Sequence, residues 1–214
     1  MVLGRYFSPD IKNEIEETGL NFSEYIPKNL NVAVLFTDIV GFTKLSEKME
    51  PNDVLELLSE YQTIMVECIF EFNGTVDKFI GDAVMANFGT PKSYGNDAQN
   101  AFDCAKKMKS MLHEWNKNRN DNRQKVIEHR IGIHYGECIV GNVGGEKRVE
   151  YTVLGDTVNV ASRLCDLSKI FNNDLLISKA LHDQIEIVEE FEKFDSHPIK
   201  GRKEKIDLIR VFLD

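Results

Sequence analysis

The sequence lacks any apolar run long enough to cross a membrane, and it opens without a signal peptide. That absence leaves open a membrane protein of which this chain is the soluble part. Basic residues are also in deficit, since 26 Lys and Arg face 35 Asp and Glu for a net charge of -9. The charge argues against a broad nucleic-acid-binding surface. A polyanionic ligand would therefore be held by a few local cations.

Residues that form disulfides or zinc sites are few and scattered. No CxxC pair occurs, and we interpret the four cysteines as reduced, buried thiols of a cytoplasmic protein: Cys68, Cys104, Cys138 and Cys165. The histidines do not form a metal site either. His129 and His134 are an odd number of positions apart on a predicted strand, so they face opposite ways.

What the sequence does contain is a regular alternation of strand-like and helix-like segments, followed by a strand near 148–154 and a helix at 156–168. The earlier segments are strand 31–37, helix 51–72, strands 74–80 and 83–89, helix 97–116 and strand 129–141, with a polar loop at 116–125. This order predicts an α+β, ferredoxin-like βαββαβ core, an antiparallel sheet with helices on one face. Residues 1–28 are interpreted as a lead-in segment and 29–214 as one domain.

Two acids interrupt apolar stretches at predicted strand ends, Asp38 in VLFTDIVGFT and Asp82 in KFIGDAVMA. The strands that carry them can be neighbours in a βαββαβ sheet. Two carboxylates brought together there repel each other unless a cation separates them, and hard oxygen ligands suit Mg²⁺ or Mn²⁺. The alternative is that both are ordinary turn acids. The presence of two such sites favours the metal interpretation.

A phosphate site is indicated next to the first acid. Gly41, Phe42 and Thr43 lead into a predicted helix, whose first backbone amides can hold an anion. A metal site beside a phosphate site is typical of a protein that binds a nucleoside triphosphate.

A third stretch, GDTVNVASRL, begins a helix with Asp156 as a plausible N-cap. Asn159 and Arg163 lie one turn apart on the same helix face. In one interpretation, the amide of Asn159 and the guanidinium of Arg163 bind one ligand. In the other, both side chains are simply exposed to solvent and have no ligand. Spacing alone does not separate these interpretations.

The three motifs VLFTDIVGFT, KFIGDAVMA and YTVLGDTVNVASRL resemble the catalytic domain of class III nucleotidyl cyclases, over about residues 30–214 and in that family's order and spacing. The resemblance implies a palm-like, ferredoxin-like core that works as a homodimer with active sites at the interface. It also implies that Asp38, Asp82 and the Ile39 carbonyl bind two Mg²⁺ or Mn²⁺ ions per active site. The backbone of Phe42 and Thr43 would hold the terminal phosphates.

The resemblance implies nucleotide contacts for further residues. Asn159 would orient the ribose, and Arg163 would stabilise charge at the α-phosphate. Lys200 would bind the triphosphate, and either Lys147 or Arg148 would make a further phosphate contact. In the family's geometry, the two acids come from one subunit and the other contacts from its partner.

Lys78 and Thr152 match the family's base-selecting positions. A lysine can donate a hydrogen bond to N1 of adenine, and a threonine hydroxyl can bond the 6-amino group. In the guanylyl cyclases of this family, the corresponding two residues are Glu and Cys. The resemblance therefore implies an adenylate cyclase of bacterial type, making cyclic AMP and pyrophosphate from ATP in intracellular signalling. A threonine at position 152 also resembles a bacterial-type subgroup of adenylate cyclases whose activity often responds to bicarbonate.

Two alternatives remain at this point. A guanylate cyclase is disfavoured by Lys78, and a catalytically silent dimerisation or nucleotide-sensing module is disfavoured because the acids and the Asn159–Arg163 pair are all present. The partners implied are ATP and a second copy of the chain, with no nucleic acid. The lead-in LGRYFSPDIKNEIEE resembles segments that join such domains to upstream sensory modules. The resemblance implies that the chain is the C-terminal output of a larger receptor, located in the cytoplasm either by itself or as the cytoplasmic domain of a membrane-anchored protein.

Overall fold

The computed structural model describes residue 11 and residues 27–145, 148–171, 175–198 and 205–213. The predictions for Lys147, Lys200 and almost all of the lead-in segment lie outside these ranges. For Arg148 the backbone is described and the side chain is not.

Thirteen helices and strands are described, and those up to α4 follow the predicted order. The strands are β1 Lys28–Ile39, β2 Thr75–Ile80, β3 Ala83–Phe88, β4 His129–Gly145, β5 Arg148–Leu154, β6 Leu175–Ser178, β7 Phe191–His197 and β8 Ile206–Val211. The helices are α1 Phe42–Ser46, α2 Pro51–Glu71, α3 Asp97–Asp121, α4 Asp156–Phe171 and α5 Lys179–His182. Within these ranges no helix is long and apolar enough to span a membrane.

The strands form one mixed sheet in the order β2-β3-β1-β4-β6-β8-β7, with β5 paired to the second half of β4. Each neighbouring pair among the first four strands of this order is antiparallel, which is the arrangement of a ferredoxin-like core. The predicted fold class is confirmed. Strand β6 then adds to β4 in parallel, and β8 and β7 complete the sheet.

Strand β1 is buried on both faces, because the run VAVLF is apolar at every position. Ala33 and Leu35 pack in the cluster that contains the buried stripes of α2 and α3. Val32 and Val34 pack in a second cluster with residues of α4. The two helices of the βαββαβ core, α2 and α3, therefore cover one face as predicted, and α4, for which no face was predicted, covers the opposite face.

The polar stretch 116–125 was predicted as a loop, but α3 continues to Asp121. The side chain of Asn116 donates to the Ile127 carbonyl over 2.7 Å and accepts from the Ile127 amide. The Nε of Arg119 donates to the Lys125 carbonyl over 2.7 Å. These polar side chains are therefore satisfied by the returning chain, a contact that local hydrophobicity does not reveal.

All four cysteines are buried and unpaired, as predicted.

Candidate active site

The acids Asp38 and Asp82 meet at one end of β1. Thr37 pairs with Val84 in the β1–β3 register, so the turn between β2 and β3, which carries Asp82, lies beside the end of β1. The Ile39 amide donates to Oδ2 of Asp82 over 3.2 Å. Burial and the adjacent Asp82 carboxylate raise the pKa of Asp38 to about 7. The structure thus brings these two residues together, while their role as metal ligands stays a prediction.

The acid pair fits a divalent cation. Within the described residues no three His, Cys, Asp or Glu side chains are grouped to hold a metal. Mg²⁺, however, commonly uses one or two carboxylates and takes its remaining ligands from water and phosphate. The raised pKa of Asp38 reflects a carboxylate whose charge is not fully compensated, and a bound cation would compensate it. A cavity of about 160 Å³ opens next to Asp38, between β1 and α4.

Arg130 is a residue of this site that the sequence analysis missed. It lies opposite Asp38 in the β1–β4 register, and its charge acts to lower the pKa of Asp38. Its Nη1 is buried and has no hydrogen-bond partner among the described residues. The available signal was an arginine within the apolar alternation of HRIGIHYG, since an arginine is rarely buried without a partner.

The residues predicted to bind phosphate lie at the start of α1. Gly41 has φ 70°, a left-handed conformation that suits glycine, and α1 starts at the next residue. The earliest hydrogen bond within this helix runs from the Leu45 amide to the Gly41 carbonyl over 3.1 Å. The amides of Phe42 and Thr43 precede it and need partners from outside the helix. The Phe42 ring packs against the core and anchors this turn.

Lys78 and Thr152 are brought together from β2 and β5 by an acid that the sequence analysis did not single out, Asp77. The Thr152 hydroxyl donates to both carboxylate oxygens of Asp77, over 2.8 and 2.9 Å. The Lys78 ammonium lies 3.4 Å from Oδ1 of Asp77 and 3.1 Å from Oε2 of Glu150. The sequence signal was weak, an acid next to a lysine in a short strand.

Asn159 and Arg163 are both exposed on α4, one turn apart as predicted. The guanidinium of Arg163 bonds the Asp166 carboxylate over 3.2 Å. An exposed ion pair of this kind stabilises a helix by only about 0.3–0.5 kcal/mol. Arg163 can therefore exchange Asp166 for a ligand phosphate at little cost.

No hydrogen bond or ion pair among the described residues joins the acid pair to Lys78 and Thr152, or to Asn159 and Arg163. The chain thus carries separate groups of candidate residues. Near Lys78 and Thr152 the strands β2, β4 and β5 also expose large apolar side chains: Phe79, Ile80, Ile139, Val143, Val149 and Leu154. A group of exposed apolar residues on neighbouring strands is typical of a protein–protein interface.

Comparisons with known proteins identify the family of this chain. The family model described as the adenylate and guanylate cyclase catalytic domain matches residues 24–211. Adenylate cyclase 1 of Rhizobium meliloti is 32% identical over 217 residues, which is 93% of this chain and 33% of that protein. The crystal structure of the adenylyl cyclase CyaB from P. aeruginosa superposes with a TM-score of 0.81 at 31% identity, covering 88% of this chain and 97% of that one.

A guanylyl cyclase is also similar. The structure of the guanylyl cyclase Cya2 has a TM-score of 0.79 at 30% identity, covering 86% of this chain and 93% of that one. Overall similarity therefore does not decide between ATP and GTP as the substrate. The chain spans about a third of the length of the curated relatives it matches first.

Proposed function

The chain belongs to the adenylate and guanylate cyclase catalytic domain family, and on that premise we propose that it converts ATP to 3′,5′-cyclic AMP and pyrophosphate. The observation that carries the proposal is the meeting of Asp38 and Asp82 at the end of β1. Two adjacent carboxylates repel each other, and a bound cation would relieve that repulsion. The amides at the start of α1, a few residues beyond Asp38, would hold phosphates.

Asp38, Asp82 and the Ile39 carbonyl would hold two Mg²⁺ or Mn²⁺ ions. Such ions supply Lewis-acid activation of the ribose 3′-hydroxyl and neutralise charge on the triphosphate. The chemical change is the formation of a bond between O3′ and the α-phosphorus with loss of pyrophosphate. The chain's own part is to position the reacting groups and to stabilise charge.

The amides of Phe42 and Thr43 would bind the terminal phosphates, and Arg130 would add a cation beside the acid pair. The unpartnered Nη1 of Arg130 supports this assignment, because a buried guanidinium nitrogen without an acceptor is unfavourable until a ligand oxygen reaches it. Since the whole chain is acidic, such local cations must provide the attraction for the triphosphate.

The remaining contacts would come from a second copy of the chain. Asn159 would orient the ribose, and Arg163 would leave Asp166 to stabilise the α-phosphate. Lys200 and either Lys147 or Arg148 remain proposed phosphate contacts. The homodimer is supported by the separation of the acid pair from Lys78 and Thr152, and by the exposed apolar residues on β2, β4 and β5.

ATP is favoured over GTP by Lys78. Its ammonium is a donor only, so it suits the N1 acceptor of adenine and opposes the N1–H donor of guanine. Guanylate cyclase remains the second candidate because Cya2 is nearly as similar as CyaB. A silent dimerisation module is the third.

The proposal includes a cytoplasmic location. It also includes upstream sensory or membrane domains, because the match covers only about a third of the length of the first relatives. Product analysis with ATP and with GTP, each with Mn²⁺ and across a range of protein concentration, tests the activity. We expect cyclic AMP, at a rate per subunit that rises as dimers form. Cyclic GMP as the main product would establish the second candidate, and no product from either nucleotide would contradict the proposed activity.

A further inference from the structure

We infer that Asp77 is a positioning residue that fixes the Thr152 hydroxyl as a hydrogen-bond acceptor towards the substrate base, so that the site takes a 6-amino purine and rejects a 6-oxo purine. The inference rests on the proposed function, because it concerns how the same site reads the base of its nucleotide.

The backbone places Asp77 in this position through a β-bulge. Val76 pairs with Ala86 and Lys78 pairs with Met85, so Asp77 is an extra residue in β2 without a partner in β3. In a regular strand the side chains of neighbouring residues point to opposite faces. At the bulge both Asp77 and Lys78 reach β5, and their charged groups are 3.4 Å apart.

The hydrogen bonds of Asp77 set the direction of the Thr152 hydroxyl. The side chain of Asp77 is buried, and it accepts from the Thr152 hydroxyl and, over 3.2 Å, from the Val153 amide. A carboxylate has no hydrogen to give, so Thr152 must be the donor in this pair. Its hydroxyl hydrogen is committed to Asp77, and only lone pairs remain for a third group.

Burial raises the pKa of Asp77, and the donors of Thr152, Val153 and Lys78 oppose that shift. The Lys78 ammonium, 3.4 Å away, adds a favourable charge for the ionised form.

A lone pair on Thr152 distinguishes the two purines at position 6. Adenine presents an amino donor there, which the lone pair accepts, while guanine presents a carbonyl oxygen, which the lone pair repels. A threonine without Asp77 would rotate its hydroxyl and donate to that oxygen, since a hydroxyl is both donor and acceptor. Asp77 thus makes the threonine selective, although it does not itself contact the base.

The test varies the group at position 6 of the purine and keeps N1 as an acceptor for Lys78, so that the two contacts are measured separately. It compares kcat/KM for ATP, for purine riboside 5′-triphosphate, which has no group at position 6, and for 6-methoxypurine riboside 5′-triphosphate. The last has an acceptor oxygen at position 6 and keeps N1 as an acceptor. For the wild-type protein we expect the values to fall in that order.

The decisive variant is Asp77→Asn, whose amide can donate to Thr152 and free the hydroxyl to donate to the base. We expect the ratio of ATP to the methoxy analogue to fall roughly tenfold to a hundredfold, a range typical of one gained or lost buried hydrogen bond. In a Thr152→Val background, which lacks the hydroxyl, the same substitution should leave the ratio unchanged. A general structural defect would lower kcat/KM for ATP and for the methoxy analogue together, and the ratio would not change.

An unchanged ratio in Asp77→Asn, in protein that melts cooperatively, would overturn the inference while leaving the proposed activity intact. A change of equal size in the Thr152→Val background would also overturn it. If Asp77→Asn does not fold, the wild-type series decides, and a methoxy analogue used better than the unsubstituted purine would overturn the inference. Failure of the proposed function is a different result, since wild-type protein would then make no cyclic AMP from ATP.

Discussion

The backbone amide of Ile39 donates a hydrogen bond to Oδ2 of Asp82 over 3.2 Å, and this contact ties the β2–β3 turn to the end of β1. This backbone donor helps to hold the Asp82 carboxylate beside Asp38. In the proposed function, this contact would help to position the acid pair for a bound cation.

The proposed homodimer predicts that two inactive variants complement each other. Asp38→Ala removes an acid and Asn159→Ala removes a contact from the other half of the site. A mixed dimer would contain one site with both lesions and one intact site. With random exchange of equal amounts, half of the dimers are mixed, so we expect about a quarter of the wild-type cyclic AMP synthesis. Each variant alone serves as the control, and no recovery despite proven subunit exchange would exclude the shared site.

Gly132 is predicted to be essential for the packing of α4 on β4. A Cβ there would lie 2.2 Å from the Cys165 amide nitrogen and 2.6 Å from the Ala161 carbonyl oxygen. Because both are backbone atoms of α4, the helix itself would have to move. We expect Gly132→Ala to lower the free energy of unfolding by about 1–3 kcal/mol or more in urea denaturation. Gly145→Ala, where a Cβ meets nothing within 4 Å, is the matched control. Equal stability of both variants would refute this packing.

His129 predicts a dependence of stability on pH. It is fully buried against Tyr61 and Thr37, and burial together with the charge of Lys109 lowers its pKa from 6.5 to about 3. Below pH 6.5 the unfolded chain binds a proton that the folded chain does not, so stability falls as the pH falls towards 3. The slope is about 1.4 kcal/mol per pH unit.

Urea denaturation at pH 7 and pH 5 checks this slope. Between pH 7 and pH 5 the wild type should lose roughly 2 kcal/mol more than His129→Gln does. His113→Gln, which alters an exposed histidine, should behave like the wild type. Equal losses in the wild type and His129→Gln would contradict the predicted proton uptake.

The sequence was sufficient for the fold class because its local signals agree with the final structure. The apolar run VAVLF predicts a buried strand, which is β1, and the apolar stripe from Pro51 onward predicts α2, which begins at that residue. The end of α3 was not predictable in the same way. Its last turns are polar in sequence, and their partners come from the chain beyond the helix.

The residues of the candidate site also differ in whether local sequence or tertiary contacts reveal them. Asp38 and Asp82 stand out in sequence because carboxylates interrupt apolar stretches. Arg130 was missed because its importance depends on which residue of β1 it faces, and register is a property of the paired strands. Asp77 was missed because its direction depends on a bulge in β2. A motif gives residue types at a spacing, whereas these two roles arise from strand pairing.

The most direct test of the central claim replaces one member of the acid pair and measures both metal binding and catalysis. In Asp38→Asn we expect Mn²⁺ binding, measured by titration calorimetry in the presence of a non-hydrolysable ATP analogue, to weaken strongly. Cyclic AMP synthesis should fall by more than the roughly 10²–10³ typical of losing a single charge-stabilising donor, because no metal is then held correctly. Unchanged thermal melting would show that the fold is intact. Near-normal cyclic AMP synthesis by folded Asp38→Asn protein would contradict the account.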